Sequence, residues 1–518
     1  MSGISGAIIR TSATDKGKRL VSENKQRAHG AAAALAVVAT VAGGIVLRAR
    51  LAAEHVIYPY DAYYYLGGAK SLATNLTYSF RNLPQTRYQP GFPILTAPFT
   101  WILETARAGT LVAILAWGGV GVVTYLIGRR TGGRAVGVVA AALVTFNPIS
   151  MKWASVPMAE PVFTLFLALE VLGLVLALQE GKPWLIAIAG LLAGYAMITR
   201  FEGAVFLLLL VVAAFWMLSD AGWKRTRQVL IPAAAALVLF ALPILLWYLR
   251  NRGIETRELA YSDELTNNFD VNFHSAGERL SYYLWSGQKM RPVSLVAYAG
   301  MLAGLVRVKR EVALMALWFG GMVAGHLLWY YTYERFLMGA LPALAVAAAW
   351  ISVAPIRRMS RTPRFALSII GCGLLLAVVV FSVRVGVNFT HEHILGLNRD
   401  WGGETLVVVA RQQRDLPGKS VSNRGAVFAF VAEQDTPYIF PVVADKDEIP
   451  HADPVARARY LKDLGVERVV LATRGRDPEV VLKEVRLDGA GLVLESTTTI
   501  DGPWEGTHQI TAVYRIPA

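Results

Sequence analysis

Long apolar segments alternate with short polar ones over most of the chain, and this pattern predicts membrane-spanning helices. A helix needs about 20 apolar residues to cross the hydrocarbon core of a bilayer. About eleven segments approach this length, so residues 31–387 are predicted to form an α-helical polytopic membrane domain. The predicted spans lie near 31–49, 109–128, 134–150, 157–178, 184–199, 202–219, 228–249, 292–306, 311–331, 336–353 and 365–386.

The composition supports a membrane protein. Of 518 residues, 54% are hydrophobic and 17% are charged, whereas soluble domains carry about 25% charged residues. Together with the long apolar segments, this excludes an ordinary soluble enzyme and a disordered chain. The chain has one cysteine, Cys372, so an intrachain disulfide scaffold is excluded as well.

The positions of the charges predict a topology. The net charge is +14, and the connections that would be cytoplasmic if residues 1–30 are cytoplasmic carry about 20 cations and about five carboxylates. This regular alternation predicts an odd number of spans in the cell (plasma or inner) membrane, with the C-terminus on the extracytoplasmic side. The positive charge therefore reflects topology, and we expect membrane lipids but no nucleic acid among the partners.

Three larger segments are then extracytoplasmic. They are a first loop at 50–108, a second long loop at 250–291 and a C-terminal region at 388–518. The C-terminal region alternates short apolar runs with a helical segment that ends in glycine, a pattern typical of a small α/β domain. Its size is that of an ordinary domain.

The first loop contains few acids, and Asp61 is the most informative of them. It stands in PYDAYYYLGGAKSLATN, which predicts an amphipathic helix at the membrane interface, with its tyrosines at headgroup depth. On this pattern alone, Asp61 is more readily interpreted as the N-cap of that helix than as a functional group.

Ionisable residues recur at the outer ends of other spans. Glu160 begins one span, Arg200 and Glu202 lie at one junction, and Glu334 and Arg335 lie at another. Each could extend alone into the headgroup region. Because such residues in apolar segments usually face polar cavities, their recurrence at one face favours a shared cavity.

The chain resembles the GT-C superfamily of polytopic glycosyltransferases, which use lipid-phosphate-linked sugars. The resemblance rests on DAYYYLGGAKSLA and RYQPGFPILTAPF in the first loop, AEPVFTLFLAL, TRFEG, RFLMGALPALA and the C-terminal YLKDLGVERVVLA. The branch of protein O-mannosyltransferases and the lipid A aminoarabinose transferase is the most similar. The order of these motifs and the topology together carry the resemblance.

The resemblance implies inverting transfer of a sugar from a polyprenyl-phosphate donor to a lipid, glycan or protein acceptor, with Asp61 as general base. Guanidinium groups match phosphate, so we expect Arg200, Arg335 and Arg87 to bind the donor phosphate. The remaining candidates are expected to contact the sugar or the acceptor: Glu160, Tyr64, Tyr88, Glu202 and Tyr333.

Two positions depart from the family pattern. Ala62 follows Asp61 where many relatives have a second carboxylate, and Gln89 stands where a lysine often precedes the proline pair. The scarcity of acids in the first loop predicts that no cofactor is required and no metal is bound, although a divalent cation stays open. The alternative functions are a polytopic transporter or lipid flippase, and a membrane anchor for the C-terminal domain.

Overall fold

The computed structural model of the chain describes residues 5–81, 83–221, 226–254, 274–327, 329, 332–356, 360–400, 403–434, 449, 453–474, 476–501 and 508–517. Within the second long loop, Asp263, Glu264 and Asp270 lie outside the described residues.

The described chain is mainly helical, as the apolar pattern predicts. The helices up to the second long loop are α1 Ser5–Ala52, α2 Tyr60–Asn75, α3 Gly91–Thr96, α4 Thr105–Gly132, α5 Arg134–Thr145, α6 Pro148–Trp153, α7 Glu160–Glu180, α8 Trp184–Met197, α9 Val205–Ala221 and α10 Thr226–Asn251. Those after it are α11 Ala276–Ser281, α12 Arg291–Val306, α13 Arg310–Leu327, α14 Leu341–Val353, α15 Arg361–Asp400, α16 Gly403–Arg414, α17 Gly425–Ala432, α18 Pro454–Asp463 and α19 Pro478–Glu484. Three 3-10 segments lie at Ala97–Trp101, Phe201–Ala204 and Glu334–Ala340, and Tyr282–Ser286 is a π-helical turn.

Each of the eleven predicted spans overlaps a helix, although the span 134–150 is divided between α5 and α6. Within the described residues, seven helical segments are long and apolar enough to cross a membrane. They are Arg27–Ala52, Thr105–Gly132, Glu160–Glu180, Phe201–Asp220, Thr226–Asn251, Glu334–Val353 and Ala366–Gly396. Helices α5, α8 and α12 are apolar but shorter, and α13 has 18 residues. The polytopic helical fold is therefore confirmed, and eleven crossings stay a prediction.

The helical bundle packs around α14. Residues 341–350 of this helix are all buried, and six of these ten residues are Ala or Val. Small side chains allow helices in a membrane to approach closely. Helix α14 contacts α4, α5, α12 and α13, while α7 packs against α4 and α8, so one continuous core joins both halves of the bundle.

One end of the bundle gathers the basic connections that the sequence predicts to be cytoplasmic. Arg130 pairs with Glu180 at 2.9 Å, and the amide of Gln179 donates to Glu311 at 2.7 Å. Arg310 pairs with Asp220 at the same end. These contacts place four predicted inner connections together, which agrees with their assignment to one side.

Arg48 holds the first spanning helix against the bundle. Its guanidinium is 1% exposed and donates to the Thr145 carbonyl and the Ser150 hydroxyl, both at 2.7 Å. It also lies over the ring of Trp117. A membrane interior supplies no water to bind such donors and acceptors. These contacts therefore satisfy the polar groups where the first spanning helix packs on the bundle.

The C-terminal region forms the predicted α/β domain. Four strands make a mixed sheet in the order β3 Lys419–Ser422, β4 Val466–Arg474, β6 His508–Arg515 and β5 Val493–Asp501; a separate hairpin in the first loop pairs β1 Ser79–Phe80 with β2 Leu83–Pro84. Strand β3 runs parallel to β4, and the other neighbouring pairs are antiparallel. Helix α15 continues to Asp400, so the predicted boundary between 387 and 388 falls inside a helix.

Replacing Arg48 by alanine should destabilise the protein. The change leaves the buried Thr145 carbonyl and Ser150 hydroxyl without the guanidinium, at a cost of about 2 kcal/mol or more. Thermal unfolding in detergent measures the effect as a lower Tm. The control is Arg50→Ala on the same helix, where the side chain is exposed, and equal Tm values for the two variants would contradict this role.

Candidate functional site

A cavity of about 370 Å³ lies where the ends of several helices meet the first loop, at the opposite end of the bundle from the basic connections. Both polar and aromatic side chains line it: Asp61, Tyr65, Arg87, Tyr88, Gln89, Arg200, Phe201, Glu202, His326, Trp329, Arg335 and Phe336. Of the ionisable residues that the sequence places at separate junctions, Arg200, Glu202 and Arg335 share this cavity with Asp61, whereas Glu160 and Glu334 do not line it.

Asp61 faces this cavity from the first turn of α2. Helix α2 begins at Tyr60 after Pro59, and no side chain caps it, so the N-cap interpretation of Asp61 is wrong. Instead, Oδ2 lies 2.8 Å from Nη2 of Arg335, and Oδ1 accepts a hydrogen bond from the Tyr88 hydroxyl at 3.1 Å. These two partners draw the carboxylate away from the helix end.

The surroundings of Asp61 favour its ionised form. Burial alone would raise the pKa of this carboxyl, but the charge and hydrogen bond of Arg335 and the Tyr88 hydroxyl outweigh it. The pKa of Asp61 is therefore lowered from its ordinary value. The side chain is 26% exposed, so the carboxylate can still be reached from the cavity.

Arg335 is held by aromatic rings and by its neighbour in the 3-10 segment. Its guanidinium lies 5.4 Å from the ring centres of Trp153 and Phe336. The adjacent Glu334 pairs with Lys152 at 2.7 Å, with both side chains less than 15% exposed. The segment is thus tied to α6, which fixes the direction from which Arg335 approaches Asp61.

Arg200 links two carboxylates on the opposite wall. Nη1 lies 2.8 Å from Glu160, and Nη2 lies 2.7 Å from Glu202. The preceding turn is fixed to the first loop, because Gly91 donates its backbone N–H to the Ile198 carbonyl at 2.8 Å. A Cβ at Gly91 would collide with the side chain of Thr199, so only glycine permits this approach.

Glu160 joins both arginines. Its side chain is 2% exposed, and Oε1 lies 2.8 Å from Arg200 and 3.7 Å from Arg335. It begins α7 after Ala159 and is buried outside the cavity lining. The structure thus connects Asp61, Arg335, Glu160, Arg200 and Glu202 in one chain of opposite charges.

Three predicted site residues do not line the cavity: Glu160, Tyr64 and Tyr333. Tyr64 is buried and stacks on Tyr88, with ring centres 4.6 Å apart. Tyr333 is 44% exposed, and its ring centre lies 5.3 Å from the Arg335 guanidinium. Arg87 and Tyr88 do line the cavity. Direct contact with a sugar from Tyr64 would need the Tyr88 ring to move.

The sequence analysis missed His326 and the aromatic residues of the wall. His326 is 5% exposed in its side chain and lies 2.9 Å from Glu202. It is an ionisable residue within the predicted span 311–331, which is the same signal that identified Glu160 and Arg335. Phe336 was missed because an aromatic residue in an apolar segment resembles any other core residue.

The C-terminal domain packs against the helix that carries Asp61. Tyr63 of α2 meets Phe430 of α17 edge to face, with ring centres 5.5 Å apart, and Lys70 pairs with Glu433 at 2.9 Å. The buried cluster there includes Phe92 of the first loop and Leu406 of the C-terminal domain. Tyr63, Tyr64 and Tyr65 of α2 are therefore buried against protein instead of being exposed to headgroups.

The arrangement of the acids does not match a metal site. Within the described ranges, no three His, Cys, Asp or Glu side chains are placed to hold a metal ion together. Asp61, Glu160 and Glu202 each face an arginine instead. An added divalent cation would first have to displace these guanidinium groups.

Known proteins share this fold. Residues 89–247 match the family model of dolichyl-phosphate-mannose-protein mannosyltransferase. No curated protein sequence matches the chain. ArnT from Cupriavidus metallidurans bound to undecaprenyl phosphate superposes with a TM-score of 0.59 at 14% identity, covering 92% of this chain and 97% of ArnT.

Two further structures are similar over most of this chain. The Archaeoglobus fulgidus oligosaccharyltransferase, in complex with Zn and sulfate, has a TM-score of 0.57 at 12% identity and covers 83% of this chain and 67% of its own. The arabinofuranosyltransferase AftD from Mycobacteria has a TM-score of 0.50 at 13% identity, over 92% of this chain and 41% of AftD. The family resemblance predicted from the motifs is thereby confirmed. The chain therefore shares the fold of these membrane glycosyltransferases, and its residues 89–247 resemble the protein mannosyltransferases.

Proposed function

We propose that the cavity transfers a sugar from a polyprenyl-phosphate donor to an acceptor hydroxyl or amine, with inversion at the anomeric carbon. The observation that carries this proposal is the Asp61 carboxylate, kept ionised by Arg335 and Tyr88 at a wall that also presents Arg200. A carboxylate base and a phosphate-binding cation within one cavity are the two groups that this reaction needs.

Asp61 acts as the general base. The acceptor donates a hydrogen bond to the carboxylate and loses its proton to it as the acceptor oxygen or nitrogen attacks the anomeric carbon. The new bond forms on the face opposite the phosphate, and the bond between the anomeric carbon and the phosphate oxygen breaks. The electron pair leaves with the lipid phosphate, so the configuration inverts.

Guanidinium groups stabilise the negative charge that develops on the leaving phosphate. Arg200 and Arg87 line the cavity and supply planar donors suited to phosphate oxygens. Arg335 lies closest to Asp61 and serves both the base and the leaving phosphate. It orients the Asp61 carboxylate and adds positive charge for the phosphate. Glu202 and Tyr88 face the cavity and are the proposed contacts to the sugar or acceptor, while Glu160 holds both arginines in place.

The remaining predicted contacts have supporting roles in this proposal. Tyr64 holds the ring of Tyr88 by stacking, and Tyr333 covers one side of Arg335. ArnT binds undecaprenyl phosphate in a similar fold, which supports a polyprenyl phosphate as the lipid. No step above involves a metal ion.

The proposed orientation has the N-terminus in the cytoplasm and the cavity on the extracytoplasmic side of the cell membrane. The charged contacts at the other end of the bundle support it, because they join basic connections such as those of Arg130 and Arg310. The transporter and anchor alternatives derive from the polytopic pattern alone, whereas the family match and the shared cavity favour a transferase.

Replacing Asp61 by asparagine should abolish transfer while the protein stays folded. Removing a general base lowers the rate by about 10²- to 10⁴-fold. Transfer of labelled sugar from polyprenyl-phosphate mannose to acceptors in membranes of the source organism measures the rate. Glu104→Gln is the control, because it removes an exposed first-loop carboxylate. Full activity in Asp61→Asn would overturn the proposal.

Replacing Arg200 by glutamine should weaken binding of the lipid phosphate. Loss of a charge-assisted contact raises the Kd for undecaprenyl phosphate by about 10-fold or more. Titration of the purified chain, followed by tryptophan fluorescence, measures it because Trp329 lines the cavity. An unchanged Kd would remove Arg200 from the phosphate site; Arg252→Gln, near the end of α10, is the control.

Replacing Tyr88 by phenylalanine should shift the acid limb of the pH–rate profile. The Tyr88 hydroxyl helps to lower the pKa of Asp61, so its loss raises that pKa. Because the base must be ionised, activity is retained above the pKa and lost as the pH falls through it. The variant should therefore lose activity at a higher pH than the native chain. Equal acid limbs of kcat/KM would show that Asp61 does not control this ionisation.

A further inference from the structure

His326 occupies a position that requires a positive charge. Its Nδ1 lies 2.7 Å from the Met322 carbonyl oxygen, and its Nε2 lies 2.9 Å from Oε1 of Glu202. A carbonyl and an ionised carboxylate only accept hydrogen bonds, so both ring nitrogens must donate. Only the imidazolium form of the ring satisfies both acceptors. It lies in the last turn of α13, where the helix dipole favours a cation.

The packing around the ring is compatible with this charge. The imidazole stacks on Phe336, with ring centres 4.8 Å apart and planes at 15°. Two charged groups on one side of the ring are Glu202 and its partner Arg200. On the other sides, the ring of Tyr283 lies 5.7 Å away between ring centres, and Arg279 donates to the Leu327 carbonyl. Glu202 is the acid in contact with the ring.

Glu202 consequently has two cationic partners. Its Oε1 accepts from Nη2 of Arg200 at 2.7 Å and from Nε2 of His326 at 2.9 Å. Arg200 in turn divides its donors between Glu202 and Glu160. If Arg200 turned towards a ligand, Glu202 would still face the imidazolium.

We propose that His326 is a positioning residue whose imidazolium keeps Glu202 paired while Arg200 turns to the phosphate of the lipid donor. The proposal rests on the proposed function, because it assigns His326 a role in phosphate binding. It explains how Arg200, which is already paired with two carboxylates, can still bind a third anion.

The energetic reason is the cost of an unpaired charge. The Glu202 side chain is 18% exposed, and separating a carboxylate from its partner in such surroundings is strongly unfavourable. With a neutral ring at His326, the movement of Arg200 would leave Glu202 without a cation. Arg200 would then stay with Glu202, and the phosphate would bind weakly.

The affinity for lipid phosphate should therefore depend on the proton of His326. A neutral ring has one nitrogen that cannot donate, so loss of the His326 proton should lower the affinity. A phosphate monoester has its second pKa at about 6, so between about pH 7 and about pH 9.5 the ligand itself stays predominantly dianionic. A fall in affinity over this pH range would therefore come from the protein and not from the ligand.

The test measures the Kd of the full chain in detergent for undecaprenyl phosphate over this pH range. His326→Gln should raise the Kd by about 10-fold at the lower end of the range and flatten its pH dependence. His326→Lys, whose ammonium has an ordinary pKa of about 10.4, should restore binding at the alkaline end. The control is His391→Gln, another histidine paired with a glutamate but 54% exposed.

A second variant separates positioning from folding. Glu202→Gln removes the charge that His326 serves, so adding His326→Gln to it should raise the Kd little further, while independent effects would add. The proposal is overturned if His326→Gln retains the native Kd, or if it weakens binding but keeps the native pH dependence. If the native chain does not bind undecaprenyl phosphate, the proposed function itself fails.

Discussion

The guanidinium of Arg200 joins Glu160 of α7 to Glu202 of the 3-10 segment Phe201–Ala204. The polar cavity is arranged around this link. Ionic groups among apolar helices are tolerated only where opposite charges meet. Glu160 extends the link to Arg335, and Arg335 extends it to Asp61. The helices that contribute these residues are therefore held in one relative arrangement at their outer ends.

The same constraint gives the cavity its chemistry. Each carboxylate faces a cation, yet Asp61 is still accessible from the cavity. Phe336 supports this arrangement, because Arg200, Arg335 and His326 all contact its ring. An aromatic face attracts cations without competing for their hydrogen bonds, so the donors stay available to carboxylates and to a ligand.

The C-terminal domain adds a second support from outside the bundle. Its α17 packs on α2, so the helix that carries Asp61 lies between the C-terminal domain and the rest of the first loop. The alternating pattern of the C-terminal residues predicted an α/β domain, but not this docking. Contacts such as that of Tyr63 with Phe430 join residues far apart in the chain, and no local period encodes them.

The sequence alone predicted the helical class, the apolar helices and the common end of the bundle at which Glu160, Arg200 and Arg335 lie, because hydropathy and charge act locally along a chain in a membrane. Tertiary structure decided which charges meet. Asp61 matches a helix N-cap locally, and only the approach of Arg335 and Tyr88 makes it a cavity carboxylate. His326 likewise acquires two acceptors only when α13 meets the segment of Glu202. Pairing of charges depends on distance in space, and that distance is set by helix packing.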